Sequence, residues 1–404
     1  MYFQTLDDKT ECVGIYANQR LIFDVELFPE DMKTTWSYSP YLRDLDIEYA
    51  LLYLEGTNVW EYIPEYLRDD WEDATNKMVS FKRSLVISKV DTTQNCFFDL
   101  VPDRFLIEFC EVKNKVTEYI INAVPKPKRY EFYKHVSMML GDIESRDIKL
   151  DYRLVRSLGK NQKLKNQATK ILSSKPFIKY KQFGTKTGRL STAKNTFPIL
   201  TLNKAFRQAV LPTNDFFIEL DFNGAEVRTL LGLLGKDQPD QDVHDFHAKE
   251  IFETNEGRDV AKVSFFAWLY GSRSAATTSA AKKLAMFYKK EELLGKYWRN
   301  GTVTTPYGKV MDDVDSHHAL NYLVQSTAAE LMLKQALKID YLLRHRSKAS
   351  FICFLIHDAV VIDMKKEDAH LIKDMVDLMR STNFGKFGVN FKKGKTLGSL
   401  SEVK

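Results

Sequence analysis

The sequence lacks the features of secreted and membrane proteins. No apolar run approaches the roughly 18 residues that a membrane-spanning helix needs. The first residues, MYFQTLDDKTECV, are acidic and contain no apolar segment of the kind found in signal peptides. The four cysteines are scattered and form no C-x-x-C pair, which fits neither a zinc site nor a disulfide framework. We therefore expect a protein of a reducing compartment, the cytoplasm, without a membrane partner.

Acidic residues are missing from one long stretch of the chain. Residues 152–214 contain 14 Lys and Arg and no Asp or Glu, whereas residues 1–100 carry 19 acidic and 9 basic residues. The net charge of +5 hides this uneven distribution. An acid-free basic segment of this length is typical of a protein that binds a polyanion. The alternative is a solvated basic face without a partner.

The length and composition allow more than one domain. The chain has 404 residues, of which 44% are hydrophobic. Pro125 and Pro127, with lysines around them, mark a linker after an acidic N-terminal region. A helical pattern then runs from Tyr130 to about Asn166. The N-terminal region contains three short strand-like runs, Val13–Tyr16, Leu21–Val25 and Leu85–Val90.

The stretch FFIELDFNGAEVRTLLGLL predicts a buried strand that turns into a helix. Phe216–Phe222 is aromatic and branched, Gly224 interrupts it, and Ala225–Leu234 has an apolar helical face. Asp221 lies at the end of the strand, where a carboxylate needs a cation or a donor. It is either a metal ligand or a cap of the following helix.

A second carboxylate is predicted at the tip of a hairpin. Phe351–Ile356 and Val360–Met364 read as strands, with His357, Asp358 and Ala359 between them. Taken alone, Asp358 is an ordinary residue of a surface turn. Beside Asp221, it would complete a site with two carboxylates for Mg²⁺.

One predicted helix carries cations and aromatic residues on a single face. Arg258, Lys262, Phe266 and Tyr270 are spaced four apart and are followed by Gly271. This order suits a ligand with phosphates at one end and a flat ring at the other. The alternative is that the cations extend over an aromatic core face. Together with the carboxylates and the basic segment, the pattern indicates two-metal phosphoryl transfer to a nucleic-acid end.

Six motifs, in order along residues 130–404, resemble those of family A DNA polymerases, the family of bacterial DNA polymerase I and several phage replicases. DFNGAEVR at Asp221–Arg228 is similar to the usual DYSQIELR, and the Arg258–Gly271 pattern resembles the nucleotide-binding helix. The other matches are Thr187–Ser191 (TGRLS), Asp242-Val243-His244, Asn321-x3-Gln325 with Thr327-Ala328-Ala329, and His357-Asp358.

The resemblance implies an α+β fold of the right-hand polymerase type, with palm, fingers and thumb, and a small mixed α/β N-terminal domain. The N-terminal domain would comprise residues 1–128, and the thumb with the basic DNA-gripping segment residues 129–205. The palm would be formed by residues 206–235 and 311–404, and the fingers by residues 236–310.

The resemblance also implies a role for each site residue. Asp221 and Asp358 would hold two Mg²⁺ ions, for which Mn²⁺ could substitute, and Lys262 would act as a general acid. Glu226 would exclude a ribose 2′-hydroxyl. The nucleotide would further contact Arg258, Lys262, His244, Phe266 and Tyr270; the primer–template DNA would contact Arg189, Asn321, Gln325 and His357.

Several residues depart from the family pattern. Ala359 replaces the Glu of the usual His-Asp-Glu, so one carboxylate near the metals is missing. His317 stands where an Arg is usual, and the fingers between Gly271 and Gly301 are short. Phe23-Asp24-Val25-Glu26 and Gln94–Asp99 resemble two motifs of a 3′–5′ exonuclease. No Tyr-x-x-x-Asp follows them, so we expect a reduced or unrelated domain without exonuclease activity.

The leading hypothesis is a template-directed DNA polymerase that adds deoxynucleoside triphosphates to a primer 3′-hydroxyl and releases pyrophosphate. We expect a compact, monomeric replicase of phage type, acting in the cytoplasm of a bacterial host. One alternative is a single-subunit RNA polymerase relative, against which Glu226 argues. Another is a catalytically impaired polymerase fold that only binds DNA, which Ala359 alone favours.

Overall fold

The computed structural model describes residues 1–8, 11–92, 94–252, 257–271 and 278–403. These residues form two compact units, Met1–Arg146 and Asp147–Lys404. None of the described helices combines the length and the apolar character that crossing a membrane requires.

The first unit combines a small antiparallel sheet with long helices. Strands β1, β2 and β3 pair in that order, and two short strands, β4 and β5, pair in parallel. The strands are β1 (Gln4–Asp8), β2 (Glu11–Ala17), β3 (Arg20–Ile22), β4 (Thr34–Thr35) and β5 (Glu48–Tyr49); the helices are α1 (Glu65–Ile87), α2 (Asp103–Ala123) and α3 (Tyr130–Glu144).

Two of the three strand predictions for this unit need correction. The Val13–Tyr16 strand is confirmed within β2, but Leu85–Val90 is wrong because α1 continues to Ile87. A short apolar run does not distinguish a strand from a helix end. The predicted Leu21–Val25 strand stops at Ile22, and a 3₁₀ turn over Val25–Leu27 follows.

Helix α3 belongs to the first unit, whereas the sequence predicted it as the start of the thumb. The Tyr49 backbone N–H donates to the Tyr130 hydroxyl at 2.7 Å, and the Tyr133 hydroxyl donates to Glu55 at 2.8 Å. The residues of α3 at helical spacing, including Val136 and Met139, are buried. The two compact units therefore divide the predicted segment 129–205 after Arg146, and the helical pattern of Tyr130 to Asn166 is three separate helices.

The second unit is built on a five-stranded antiparallel sheet in the order β14-β15-β10-β18-β19. The central strand β10 pairs with β15 on one side and β18 on the other. These strands are β10 (Phe216–Phe222), β14 (Phe351–Ile356), β15 (Ala359–Met364), β18 (Val389–Gly394) and β19 (Ser401–Glu402). Phe216–Leu220 and all of β15 are buried, which explains their runs of aromatic and branched residues.

Helices cover this sheet and extend beyond it. They are α4 (Tyr152–Leu158), α5 (Lys165–Ser173), α6 (Lys204–Arg207), α7 (Ala225–Leu233), α8 (Val243–His247), α9 (Arg258–Leu269), α10 (Ser279–Phe287), α11 (Lys290–Tyr297), α12 (Ser316–Arg346) and α13 (Ile372–Arg380). The Asp315 carboxylate accepts from the His318 N–H at 2.8 Å and caps α12. Helix α12 therefore begins at Ser316 and includes the whole motif from Asn321 to Ala329.

The remaining strands of the second unit are short. They are β6 (Lys149–Leu150), β7 (Tyr180–Lys181), β8 (Ser191–Thr192), β9 (Val210–Leu211), β11 (Trp298–Arg299), β12 (Thr302–Thr304), β13 (Val310–Met311), β16 (Ser381–Thr382) and β17 (Gly385–Lys386). A hydrophobic core joins α7–α12, with Leu230, Phe265, Leu284 and Leu323 among its buried residues. This core fixes α9 relative to the end of β10.

Candidate active site

Asp221 lies near the end of the central strand, where the chain turns into α7. Gly224 forms the turn with φ +68°, a conformation that favours glycine. No side chain caps α7, so the interpretation of Asp221 as its cap is wrong. Asp221 is partly buried and accepts a hydrogen bond from Asn390 on β18.

Asp358 occupies the tip of the hairpin between β14 and β15, as the sequence predicted. Asp221 pairs with Ala359 in the sheet, so Asp358 lies next to Asp221 across adjacent strands. The Phe222 backbone N–H donates to the Asp358 carbonyl at 3.4 Å. His357 adopts φ +54°, which is costly for a residue with a β-carbon. Such strain is typical of turns that hold functional groups.

The electrostatics of the two carboxylates favour a cation between them. Burial and the negative charges of Glu226 and Asp221 together raise the pKa of Asp358 to about 7, against the opposing charge of Arg189. Burial and the charge of Glu219 also raise the pKa of Asp221. A bound divalent cation would relieve both effects.

The donor set suits a hard cation that keeps open positions. Asp221 and Asp358 offer carboxylate oxygens, the ligands that Mg²⁺ prefers. Within the described ranges, no three His, Cys, Asp or Glu side chains lie close enough to hold a metal by themselves. Water and substrate oxygens would have to complete the coordination.

Helix α9 presents its cations and aromatic residues to solvent. Arg258 and Lys262 are exposed, Tyr270 just beyond the helix is 42% exposed, and the Phe266 and Tyr270 rings stack at 5.6 Å. The buried face consists instead of Ala261, Phe265 and Leu269. Phe266, on the same face as the cations, is half-buried and packs against the core of this unit, so the alternative of cations extending over an aromatic core face stays open.

His244 lies beside this row of residues. It is buried on α8, and its ring centroid is 5.9 Å from that of Phe266. Burial lowers the pKa of His244 to about 4, so the imidazole is neutral at pH 7. Its Nδ1 finds no hydrogen-bond partner among the described residues.

A hydrogen-bonded chain of side chains connects the TGRLS loop to α9 and α12. Arg189 Nη2 donates to Glu226 Oε1 at 2.6 Å. The Tyr270 hydroxyl makes hydrogen bonds with Arg189 and Gln325, and Gln325 donates to Asn321 at 3.4 Å. The charges of Arg189 and Glu226 also act on His357. Arg189, Glu226, Tyr270, Gln325 and Asn321, all predicted site residues, therefore lie next to one another.

The chain is similar to known DNA polymerases in sequence and in fold. No protein-family model matches the chain. DNA polymerase I of Aquifex aeolicus (strain VF5) is 24% identical over 280 residues, which cover 60% of this chain. The match covers 48% of that protein, so the chain spans about half the length of this curated relative.

A solved structure matches more of the chain. It is the POL domain of Pol1 from M. smegmatis, in complex with a DNA primer-template and dNTP. The TM-score is 0.60 at 13% sequence identity, and the match covers 74% of this chain and 76% of that one. The fold is that of a DNA polymerase I polymerase domain. The sequence resemblance to family A DNA polymerases and the α+β right-hand fold are thereby confirmed.

All twelve predicted site residues of this polymerase fold lie in the second unit, and none falls outside the described residues. His317, which departs from the family pattern, packs against Gly271 at the end of α9. Of the predicted short fingers, residues 272–277 lie outside the described residues.

The exonuclease-like residues of the first unit have a local role. The Asp24 carboxylate accepts from the Glu26 backbone N–H at 3.0 Å and caps the 3₁₀ turn. Both residues are exposed, and Asp99 lies in another 3₁₀ turn, Phe98–Leu100. An aspartate whose carboxylate accepts from the N–H two residues later is a common feature of turns, so this turn accounts for the Asp24–Glu26 part of the motif.

Sequence reasoning missed a charged pair beside Asp221. Glu219 and Asp221 lie on the same face of β10, and Lys392 Nζ on β18 is 2.6 Å from Glu219 Oε1. Lys392 also lowers the pKa of Asp221, opposing the effect of Glu219. The two-residue spacing of Glu219 and Asp221 was the available signal, but the pairing with Lys392 depends on sheet register.

Proposed function

We propose that this protein is a template-directed DNA polymerase that transfers deoxynucleotides to a primer 3′-hydroxyl with two bound Mg²⁺ ions. The observation that carries the proposal is the pairing of Asp221 with Ala359, which sets Asp358 beside Asp221. Lys262 on α9 is close enough to lower the pKa of Asp221. The nucleotide-binding row and the carboxylates thus belong to one site.

Asp221 and Asp358 would hold the metal ions through their carboxylate oxygens. Bound there, the ions would activate the primer 3′-hydroxyl and neutralise the charge that develops on the pyrophosphate. The partial burial of both carboxylates strengthens this interaction, since less water competes for the cation.

Arg258, Lys262 and His244 would hold the triphosphate. Arg258 and Lys262 are exposed cations about one helical turn apart on the same face of α9, so their long side chains can reach different phosphates of one triphosphate. Neutral His244 would donate a hydrogen bond without adding charge. Lys262 is suited to give its proton to the departing pyrophosphate.

Glu226 and the aromatic pair would select the nucleotide. Glu226 is buried and fixed by Arg189, so its side chain has a defined position in the first turn of α7. Phe266 would pack against the sugar, and Tyr270 would stack near the templating base. A fixed carboxylate beside the sugar would leave no room for a 2′-hydroxyl.

The DNA duplex would contact a second group of residues in the site. Arg189, Asn321, Gln325 and His357 would reach the minor groove, where acceptors are placed alike in every correct pair. The basic segment supplies further contacts. Arg153 and Arg156 on α4 and Lys165 and Lys170 on α5 are exposed and suited to phosphates.

Primer extension tests the proposal and its two alternatives. The wild type and Asp221→Ala are compared on a primed template with Mg²⁺, using deoxynucleotides, ribonucleotides or none. We expect extension with deoxynucleotides only, lost in the variant. Extension with ribonucleotides alone would support the RNA polymerase alternative. Binding of the duplex without extension in Mg²⁺ or Mn²⁺ would support a DNA-binding protein in which the loss at Ala359 is decisive.

The role of Glu226 has its own test. Glu226→Ala is expected to admit ribonucleotides, lowering the preference for deoxynucleotides by about a hundredfold. Glu226→Gln is the matched control because it keeps the size of the side chain and removes only the charge that pairs with Arg189. An equal loss of preference in both variants would contradict the steric role.

A further inference from the structure

Asp242 connects the triphosphate-binding helix to the turn that follows the metal-binding strand. Its Oδ2 accepts from Arg258 Nη2 at 3.1 Å and from Asn223 Nδ2 at 3.0 Å. Its Oδ1 accepts from the backbone N–H groups of His244 at 2.9 Å and Asp245 at 3.3 Å. One carboxylate therefore joins α9, α8 and the turn after Asp221.

This carboxylate is a rigid anchor. Both of its oxygens are used twice, and its side chain is 19% exposed, whereas that of Arg258 is 43% exposed. Asn223, its partner in the turn, is fixed as well, since its N–H donates to the Gly388 carbonyl at 2.9 Å and its own carbonyl accepts from Arg228 Nε at 2.7 Å. The Arg258 guanidinium is thus held by a group that has little freedom of its own.

The position of Arg258 requires such an anion. It is the first residue of α9, where the helix dipole is unfavourable for a cation, and Lys262 lies one turn further on. A long arginine side chain also loses rotamer freedom when it is fixed. An ion pair formed before the nucleotide arrives reduces both costs at the binding step.

We propose that Asp242 is a positioning residue that orients Arg258 for the incoming triphosphate and ties it to the turn carrying Asp221. The inference rests on the proposed function, because it assigns the ligand of Arg258 as a triphosphate. Asp242 takes one N–H of Nη2 and the exposed Asp259 takes one N–H of Nη1, so Nε and the second N–H of each terminal nitrogen remain for phosphate oxygens.

Asp259 provides a matched control. It also pairs with Arg258, with Oδ1 at 3.3 Å from Nη1, but it is 93% exposed. Asp242→Asn and Asp259→Asn remove the same charge beside the same arginine. Asparagine retains the acceptor that caps α8, so Asp242→Asn is expected to fold.

The experiment measures kcat and KM for a deoxynucleoside triphosphate in primer extension by the wild type, both variants and Arg258→Ala. In Asp242→Asn we expect KM to rise about tenfold with kcat changed less than about threefold. Asp259→Asn is expected to change KM less than about twofold. In the Arg258→Ala background, Asp242→Asn should have no further effect on KM, because it acts through Arg258.

Three results would overturn the inference. A lower KM in Asp242→Asn would mean that Asp242 competes with the triphosphate for Arg258. Equal effects of Asp242→Asn and Asp259→Asn on KM would mean that only the net charge near Arg258 matters, and not the position of Asp242. A fall in kcat and in the unfolding midpoint of Asp242→Asn, without a change in KM, would mean that Asp242 only stabilises the fold.

A binding measurement separates this inference from the proposed function. The shift in the unfolding midpoint caused by a deoxynucleoside triphosphate with Ca²⁺ reports binding without turnover. A wild type that binds the nucleotide but never extends a primer would contradict the polymerase proposal. The inference would still stand if only Asp242→Asn weakened that shift, and would fall if Asp259→Asn weakened it equally.

Discussion

The two compact units each contain a carboxylate near the end of an apolar strand, and the surroundings give them different properties. Asp24 follows β3 in the first unit, is exposed and caps its own turn. Asp221 ends the central strand of the second unit, with Asp358 on the adjacent hairpin and Lys262 nearby. The comparison shows that a local motif indicates a candidate ligand, whereas the neighbouring strands decide its chemistry.

The largest expected effect lies in these carboxylates. Asp221→Asn and Asp358→Asn should each lower the rate of primer extension at least about a thousandfold, because each would remove a charge that the proposed metal site needs. Asp24→Asn in the first unit should leave the rate unchanged within about twofold. Primer extension with Mg²⁺ measures all three. A large loss of extension rate in Asp24→Asn would mean that the first unit takes part in catalysis, and would contradict the predicted difference between the two carboxylates.

The units also differ in charge, which predicts different effects on DNA binding. Lys160, Lys163 and Lys165, at and before the start of α5, are exposed in the acid-free segment. Replacing all three by Ala should weaken binding of a primed duplex on the order of tenfold to a hundredfold and make the salt dependence shallower, since fewer phosphates are neutralised. Fluorescence anisotropy at several salt concentrations measures both.

A control of equal charge comes from the first unit. Lys77, Arg104 and Lys115 each pair with an acid four residues earlier or later on their own helix. Their joint replacement by Ala should leave the salt dependence of DNA binding nearly unchanged. Equal slopes for the two triple variants would assign the effect to net charge rather than to the basic segment.

The raised pKa of Asp358 predicts a pH-dependent stability of the metal-free protein. The carboxyl keeps its proton in the folded state up to about pH 7, whereas in the unfolded chain it ionises near its usual value of 3.8. The folded state therefore binds more protons in this interval, and the free energy of unfolding falls as the pH rises through it.

Asp358→Asn should remove this fall in the free energy of unfolding with rising pH, because asparagine does not ionise. With chelator present, we expect the free energy of unfolding of the variant to exceed that of the wild type by about 4 kcal/mol at pH 8, and the difference to vanish near pH 4. Urea unfolding at several pH values measures it. A difference that stays constant with pH would contradict the raised pKa.

The smallest expected effects on stability and on primer extension are those of replacing two glutamines, one in each unit. Gln4 in the first unit is 1% exposed, and its Nε2 donates to Asn114 Oδ1 at 2.8 Å and Thr117 Oγ1 at 3.2 Å. Gln4→Ala should lower the free energy of unfolding by about 1 kcal/mol without changing primer extension. Gln325→Ala, at the Tyr270 surface, should do the reverse, lowering extension about tenfold with little change in unfolding. Urea unfolding and primer extension are measured on both variants. A loss of extension in Gln4→Ala, or a loss of stability in Gln325→Ala, would contradict the prediction.

Local elements of the second unit were predictable because their periodicity is complete within a short segment. The strand Phe216–Phe222, the break at Gly224 and the helix after it follow the expected pattern. The hairpin with Asp358 at its tip does so too. The boundaries of the palm, fingers and thumb stay predictions, although the assignment of α3 to the first unit separates it from the rest of the predicted thumb.

The sequence alone determined the local elements and the candidate residues on them: the end of β10, the hairpin tip and the row on α9. Only the tertiary structure decided which distant groups meet. Lys392 pairs with Glu219 across 173 positions because β18 lies beside β10 in one register. Asp242 reaches Arg258 and Asn223 because the packing of α8 and α9 brings them together. Periodicity is a property of neighbours in sequence, whereas register and packing depend on the burial of the whole chain.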